Sequence, residues 1–238
     1  MVRMYQTWAQ KICAPVFYED ANGETHNGTM TFLRTDEELL GITNKHVARG
    51  VAESAEAGKN CKVGGAPLEP ARLIAEHQQL DLATYRLSDV LLANVGLLAD
   101  GSGDPAKHQP ATVTEWPPVP AGEGAPVMYG GYPGAHRSSL ADGNVEFGFF
   151  WFANKVESLS DKNIGMVINS ENSISVGDRP IKAGSDLGGW SGGPVFRVIE
   201  ENAIERLELS GIIYECSGNS GIVLAHPLID LNPDGTFE

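Results

Sequence analysis

The stretch GGWSGGPVF, residues 188–196, places a serine between glycines in a way that suits acyl-transfer chemistry. A serine hydroxyl attacks a carbonyl only when a base removes its proton and N–H groups stabilise the oxyanion that forms. Glycines allow the tight turn that exposes such a serine. Ser191 would then be the nucleophile, and the N–H groups of Gly189 and Ser191 would form the oxyanion hole. A glycine-rich β-turn without chemistry has the same letters, so both interpretations stay open at this point.

A base and a carboxylate are available upstream of this serine. His46 follows the apolar run LLGIT, where a buried strand would end and a helical turn begin. Asp81 is the first charge on the otherwise apolar segment LDLATYRL, and buried carboxylates are normally hydrogen-bonded. His226, in GIVLAHPL, is typical of a strand residue near the end of a core. The order His46, Asp81, Ser191 indicates a base, an acid that orients it and a nucleophile.

The same glycines also match the G-x-S-x-G nucleophile elbow of α/β-hydrolases. That motif requires a helix directly after the serine, followed by the acid and then the histidine. In this chain Pro194 and the β-branched segment PVFRVI follow the serine, whereas His46 and Asp81 precede it. The elbow interpretation is therefore excluded.

The elements that must position these residues are short strands. Segments rich in β-branched, aromatic or alternating apolar residues are separated by Gly, Asn, Asp or Glu clusters. The clearest helical segment is VARGVAESAEA, residues 47–57. We predict an all-β protein of two β-barrels or sandwiches: residues 1–105 with His46 and Asp81, a proline-rich linker over 106–124, and residues 125–238 with Ser191.

Composition narrows the function classes. The 238 residues carry a formal net charge of −14 and show no basic run, which excludes a nucleic-acid surface. No apolar stretch is long enough to span a membrane, and the N-terminus lacks a secretory signal, so we expect a cytoplasmic protein. The wide, odd-numbered spacing of Cys13, Cys61 and Cys216 predicts reduced thiols, and we expect neither a metal nor a cofactor.

Taken together, the motifs resemble those of the chymotrypsin-like (trypsin-like) serine peptidases. LLGITNKHV resembles their T-x-x-H-[CV] motif, LDLATYRL their D-[IL]-A motif and GGWSGGPVF their G-x-S-G-G-P motif. GTMTFL, VMYGGYPG and LSGIIYE match further strands, so the resemblance covers roughly residues 12–230. It implies two perpendicular six-stranded antiparallel Greek-key β-barrels and a serine endopeptidase that works through an acyl-enzyme. In that family's scheme His46 is the general base, Asp81 orients its imidazole and Ser191 is acylated.

Two departures from the animal digestive members make the chain more similar to bacterial and HtrA-like protease domains. Trp190 stands where those members have an aspartate that pairs with a new N-terminus after cleavage, so activation by N-terminal trimming is not expected. Val47 replaces the cysteine that many secreted members place after the base.

The resemblance also locates a substrate pocket. Its base would fall near Ser185, with Tyr214, Glu215 and Cys216 on the adjoining strand and Gly221 opposite. No acid aligns with the pocket base of Arg- and Lys-cleaving relatives, although Asp186 is adjacent, so we expect a small or apolar residue before the cleaved bond. The expected partners are a protein or peptide substrate and a regulatory protein. A catalytically silent peptide-binding module and an effector peptidase that needs a partner remain the alternatives.

Overall fold

A computed structural model describes residues 8–95, 98–99, 105–139, 145–168, 174–176, 187–201, 204–218 and 220–238. Helix α1 spans Lys45–Glu56 and helix α2 spans Asp89–Asn94, and single 3₁₀ turns lie at Pro70–Arg72 and Gly134–His136. The strands are β1 (Cys13–Glu19), β2 (Thr25–Arg34), β3 (Leu39–Thr43), β4 (Lys62–Val63), β5 (Ala66–Pro67), β6 (Leu73–Glu76), β7 (Ala83–Arg86), β8 (Leu98–Ala99), β9 (Pro105–Ala106), β10 (Pro126–Gly131), β11 (Arg137–Ser139), β12 (Val145–Phe147), β13 (Phe150–Lys155), β14 (Ser158–Leu159), β15 (Ile164–Val167), β16 (Ile174–Val176), β17 (Pro194–Glu201), β18 (Ile204–Cys216) and β19 (Ile222–Pro227).

The first sheet is antiparallel and runs β5-β4-β1-β2-β3-β7-β6. Side chains of a strand alternate between its two faces. In β2, Met30 and Phe32 therefore point into the first core, whereas Thr29 and Thr31 are buried on the opposite face. Helix α1 packs Val47 and Val51 onto this core as well. The sheet thus presents two buried threonines toward the second half of the molecule.

The second sheet is also antiparallel, in the order β14-β15-β19-β18-β17-β10-β13-β16. Its core is built from large side chains, including Tyr129, Phe152, Ile213 and the fully buried Trp190. Burying an aromatic side chain of this size removes 150–250 Å² from water in a typical protein, so this core holds its strands firmly. Because Trp190 belongs to the loop before β17, the burial of its side chain attaches that loop to the second core.

A third, central core joins the two sheets. It contains Leu40 and Ile42 of β3 and both neighbours of Asp81, packed with residues of the second sheet such as Trp151 and Ile212. Because apolar packing is continuous from one sheet to the other, groups carried by different sheets keep a fixed separation.

The fold-class prediction is confirmed: the protein is mainly β, with two large antiparallel sheets and few helices. Two short hairpins, β8-β9 and β11-β12, form separate two-stranded sheets. The large sheets have seven and eight strands rather than six, because short edge strands such as β5 and β14 extend them. The helix predicted over residues 47–57 begins two residues earlier, at Lys45. The domain limits at residues 105 and 124 stay a prediction. In the described part of the chain, no helix is both long and apolar enough to cross a membrane.

Candidate active site

His46 lies in the first turn of α1, where helix N–H groups have no partner inside the helix. The side chain of Asn44, at the N-cap, does not cap the helix and instead donates to the Asp81 carbonyl oxygen at 2.5 Å. The cap is the Asp81 carboxylate, whose Oδ1 accepts the His46 N–H at 3.0 Å. A carboxylate at this end also interacts favourably with the helix dipole.

The second carboxylate oxygen, Asp81 Oδ2, lies 2.5 Å from His46 Nδ1. An ionised carboxylate only accepts hydrogen bonds, so Nδ1 carries the proton and Nε2 of the neutral ring keeps its lone pair. Burial would raise the pKa of Asp81, but the two hydrogen bonds from His46, together with the attraction to its ring when protonated, outweigh burial and hold that pKa below its ordinary value. Asp81 therefore stays ionised, and the 53 % exposed His46 side chain presents a basic nitrogen at the surface.

The segment before Asp81 is held by a second histidine. His77 Nδ1 accepts the N–H groups of Gln79 and Leu80 at 3.0 and 2.9 Å. Its Nε2 therefore carries the proton and lies 3.3 Å from Asp230 Oδ2, near the C-terminus. Leu80 and Leu82, on either side of Asp81, are both buried in the central core. The carboxylate thus projects from a backbone that is fixed on both sides.

The Ser191 loop is tied to β2 of the opposite sheet. The Thr29 hydroxyl donates to the Gly189 carbonyl at 2.7 Å, and the Thr31 hydroxyl donates to the Gly192 carbonyl at 2.8 Å. The Ser191 carbonyl accepts the Thr29 N–H at 2.7 Å. The alternation of β2 explains this arrangement, because it turns the two threonines away from the apolar core and toward the loop.

Gly189 has a φ of 99°, a conformation that side-chain-bearing residues rarely adopt. A Cβ there would also lie 2.2 Å from Asn27 Nδ2. Among the described residues, the N–H groups of Gly189 and Ser191 have no protein acceptor, although those of Trp190, Gly192 and Gly193 all do. The Gly188 carbonyl accepts the Gly134 N–H at 2.5 Å and is thereby engaged elsewhere. Two donors remain available at the loop, as an oxyanion hole requires.

The Ser191 carbonyl oxygen and Val47, the residue after His46, both lie close to Gly28. A Cβ on Gly28 would lie 2.7 Å from a methyl carbon of Val47, the residue after His46, and 3.3 Å from the Ser191 carbonyl oxygen. Within the ranges that the structure describes, no hydrogen bond joins the Ser191 hydroxyl to His46. The structure thus brings His46 and Asp81 into direct contact. The Ser191 backbone comes close to Gly28 of β2, which also lies close to Val47 of α1.

The predicted pocket residues lie at the end of β18 and the start of β19. Tyr214 does not line an open wall: its ring stacks on His226 and its hydroxyl donates to Asn163 Oδ1 at 2.8 Å. Glu215 is exposed, whereas Cys216 packs against the second core, where burial and then Glu215 raise its pKa to about 12. Gly221 pairs with Ile168 through its carbonyl. The predicted pocket base, Ser185, lies outside the described residues.

Three ligand atoms of Asp20, Glu24 and His26 lie within 4.8 Å of one another in the β1–β2 hairpin, which is the spacing that a metal ion needs. The Asp20 carboxylate already accepts the N–H groups of Asn22 and Glu24 at 2.9 and 2.8 Å. This is the hydrogen bonding of an Asx-turn, which explains the cluster as turn chemistry.

Sequence reasoning missed several residues that hold the site, namely Thr29, Asn44, His77 and His226, whose Nε2 accepts the Asp81 N–H. The alternation of β2 could have indicated Thr29, because a threonine on the polar face of an apolar strand needs a hydrogen-bond partner. The contacts of the two histidines have no local signal: the Asp81 N–H and its acceptor on His226 are 145 residues apart.

No family model matches the chain, and no curated protein matches it. Solved structures with a similar fold include three bacterial proteases. They are the active form of the Rv3671c protease from M. tuberculosis (17% identity over 94% of this chain and 78% of that one, TM-score 0.46), a serine endoprotease from Yersinia pestis (13%, 95% and 61%, TM-score 0.47) and the protease Anisep from Arthrobacter nicotinovorans (14%, 93% and 91%, TM-score 0.46).

The chain folds into two large antiparallel sheets, with His46 and Asp81 on the side of the first and the Ser191 loop leading into the second. This is the arrangement that the resemblance to chymotrypsin-like peptidases predicts. At these identities and with TM-scores below 0.5, the similarities carry no argument about function. We therefore base the functional assignment on the contacts of this chain.

Proposed function

We propose that the protein is a serine endopeptidase that cleaves peptide bonds through His46, Asp81 and Ser191. One observation carries the proposal: the Asp81 carboxylate holds both the backbone N–H and Nδ1 of His46, which leaves Nε2 to act as a base. The Ser191 loop adds two N–H groups that have no acceptor among the described residues. A partly buried carboxylate, an accessible imidazole and backbone donors at the serine loop are the groups that serine acyl transfer requires.

In the proposed reaction, Ser191 Oγ attacks the substrate carbonyl carbon while His46 Nε2 takes the hydroxyl proton. The N–H groups of Gly189 and Ser191 stabilise the oxyanion, and the ionised Asp81 stabilises the imidazolium. His46 then gives the proton to the leaving amine, and the acyl group stays on Ser191 as an ester. Water, deprotonated by the same imidazole, hydrolyses that ester and restores the serine hydroxyl.

Labelling with a fluorophosphonate probe tests the proposal. The probe forms a covalent bond to an activated serine, so the wild-type protein should be labelled at Ser191 and Ser191→Ala should not. Ser158→Ala, which changes an exposed serine on the short edge strand β14, is the matched control and should be labelled like the wild type. Peptide mapping of the labelled protein identifies the modified residue.

The same experiment separates the alternatives. Labelling that appears only after addition of cell lysate indicates an effector peptidase that a regulatory protein switches on. Absence of labelling under both conditions contradicts the peptidase and supports a silent module that binds peptides.

The proposed substrate is a protein or peptide with a small or apolar residue before the cleaved bond. The partly buried Cys216 packs against the second core at the end of β18, which favours an apolar surface on that side of the site. A peptide library should show cleavage after small or apolar residues. A profile dominated by Arg or Lys would contradict this specificity and leave the reaction type intact.

A further inference from the structure

His226 is a buried histidine on β19 that the proposed reaction does not use. Its Nδ1 lies 2.8 Å from the Lys162 carbonyl oxygen, which only accepts hydrogen bonds, so Nδ1 carries the proton. Nε2 is therefore an acceptor, and the Asp81 N–H donates to it at 3.3 Å. Burial lowers the pKa of His226, which favours the same neutral form.

The orientation of the His226 ring is fixed by Tyr214. The two rings are stacked, with centroids 3.9 Å apart and planes 7° from parallel. The Tyr214 hydroxyl is itself held by Asn163 Oδ1. Because both the ring plane and the Nδ1 end are fixed, Nε2 is directed at one point, the backbone nitrogen of Asp81.

His226 also belongs to the framework of the Ser191 loop. It pairs in register with Ile212 of β18, and the next residue, Ile213, exchanges backbone hydrogen bonds with Gly192 and Gly193 at 2.8 Å each. A continuous series of contacts therefore leads from the Ser191 loop through β18 and β19 to Asp81. Asp81 belongs to the other half of the molecule and holds His46.

From these contacts we infer that His226 is a positioning residue: its Nε2 accepts the Asp81 N–H and so sets the His46–Asp81 pair in register with the Ser191 loop on the opposite sheet. This inference rests on the proposed function for its kinetic consequence, although the contacts that carry it are independent of that function. His226 touches neither the substrate nor the reacting atoms in this scheme. Its contribution is the fixed geometry that acyl transfer needs, for which a misplacement of about 1 Å costs on the order of 10²-fold in rate.

Two variants separate this role from simple packing. In His226→Gln the amide oxygen takes the place of Nε2 and keeps an acceptor for the Asp81 N–H, but the aromatic stack is lost. In His226→Phe the stack on Tyr214 remains, but the acceptor is lost. Both variants lose the donor to Lys162, so this contact does not bias the comparison.

We expect His226→Gln to keep kcat within about threefold of the wild type, and His226→Phe to lose about 10- to 100-fold in kcat with little change in KM. A packing role predicts the reverse order. The inference is overturned if His226→Phe is as active as His226→Gln or more so. If His226→Phe does not fold, His226→Asn replaces it, since its shorter amide can still reach Lys162 but provides no acceptor at the Nε2 position.

A second measurement does not depend on hydrolysis. The proton between His46 Nδ1 and Asp81 Oδ2 should give a low-field NMR resonance in the wild type and in His226→Gln, and this signal should be lost or broadened in His226→Phe. An identical signal in all three proteins contradicts the inference. Wild-type protein that gives the signal but never reacts with a fluorophosphonate or a peptide refutes the proposed function, and the NMR comparison then decides the role of His226 alone.

Discussion

The hydroxyl of Thr29, on the first sheet, donates to the carbonyl oxygen of Gly189 in the Ser191 loop at 2.7 Å. The same hydroxyl oxygen accepts the Tyr132 N–H at 3.1 Å. One side chain thus connects the first sheet to two loops next to strands of the second, after β10 and before β17. The Gly189 carbonyl that it holds belongs to a residue of the proposed oxyanion hole. The orientation of the loop depends on a residue that never meets the substrate.

Replacing Thr29 with valine should therefore disorder the oxyanion hole. Thr29→Val keeps the size of the side chain but leaves a buried carbonyl and a buried N–H without partners, and we expect kcat/KM to fall about tenfold or more. Thr29→Ser retains the hydroxyl and should stay close to the wild type. The measurement is peptide hydrolysis, or the rate of fluorophosphonate labelling. Equal rates for the two variants would contradict a role for this hydrogen bond.

The ionisation of Asp81 should make the free energy of unfolding depend on pH. Its pKa is lower in the folded protein than its ordinary value of 3.8, because the interactions with His46 outweigh the effect of burial. When the pKa of a carboxyl group is lower in the folded than in the unfolded protein, its ionised form stabilises the folded protein. This contribution is fully present above the pKa of the unfolded protein and is lost as the pH falls through the pKa of the folded protein. The free-energy difference between wild type and Asp81→Asn should therefore be largest near about pH 7 and shrink below pH 3.8.

Denaturant unfolding of both proteins across this pH range measures the difference. Asp234→Asn is a useful comparison, because the pKa of Asp234 is also lowered, chiefly by the Thr236 N–H, but its carboxylate is remote from His46 in the hydrogen-bond network. Only Asp81→Asn should also abolish hydrolysis. A difference between wild type and Asp81→Asn that is independent of pH would contradict the ionised contact with His46.

Trp190 should couple stability to activity. Its side chain is fully buried among Tyr129 and Phe152, with ring centroids at 6.4 and 5.6 Å, directly beside Ser191 in the chain. Trp190→Ala should cost about 3–5 kcal/mol of unfolding free energy, the usual loss when a large core aromatic is truncated, and should also abolish labelling of Ser191. Trp190→Phe keeps most of the packing and should retain measurable labelling.

Thermal unfolding and probe labelling together decide this prediction. A Trp190→Ala protein that is destabilised but is still labelled at the wild-type rate would show that the second core does not hold the loop. Wild-type protein labelled without any partner would indicate that contacts within this chain, Trp190 packing among them, keep the loop competent.

The sequence by itself determined the β-rich fold class and the three candidate groups. Alternating apolar residues and turn-forming clusters are local signals, so the strands around His46, Asp81 and Ser191 could be predicted from them. Pro194 and the β-branched run after Ser191 also excluded, from the sequence alone, a nucleophile at the start of a helix.

The tertiary structure decided how those groups are held. That the Asp81 carboxylate caps the helix of His46, that Thr29 fixes Gly189 and that His226 accepts the Asp81 N–H are contacts between residues 35, 160 and 145 positions apart. Local patterns report which face of an element is buried, but they do not report which distant polar group meets a buried donor or acceptor. That partner is set only when the two sheets pack against their common core, where unpaired buried polar groups are too costly to leave.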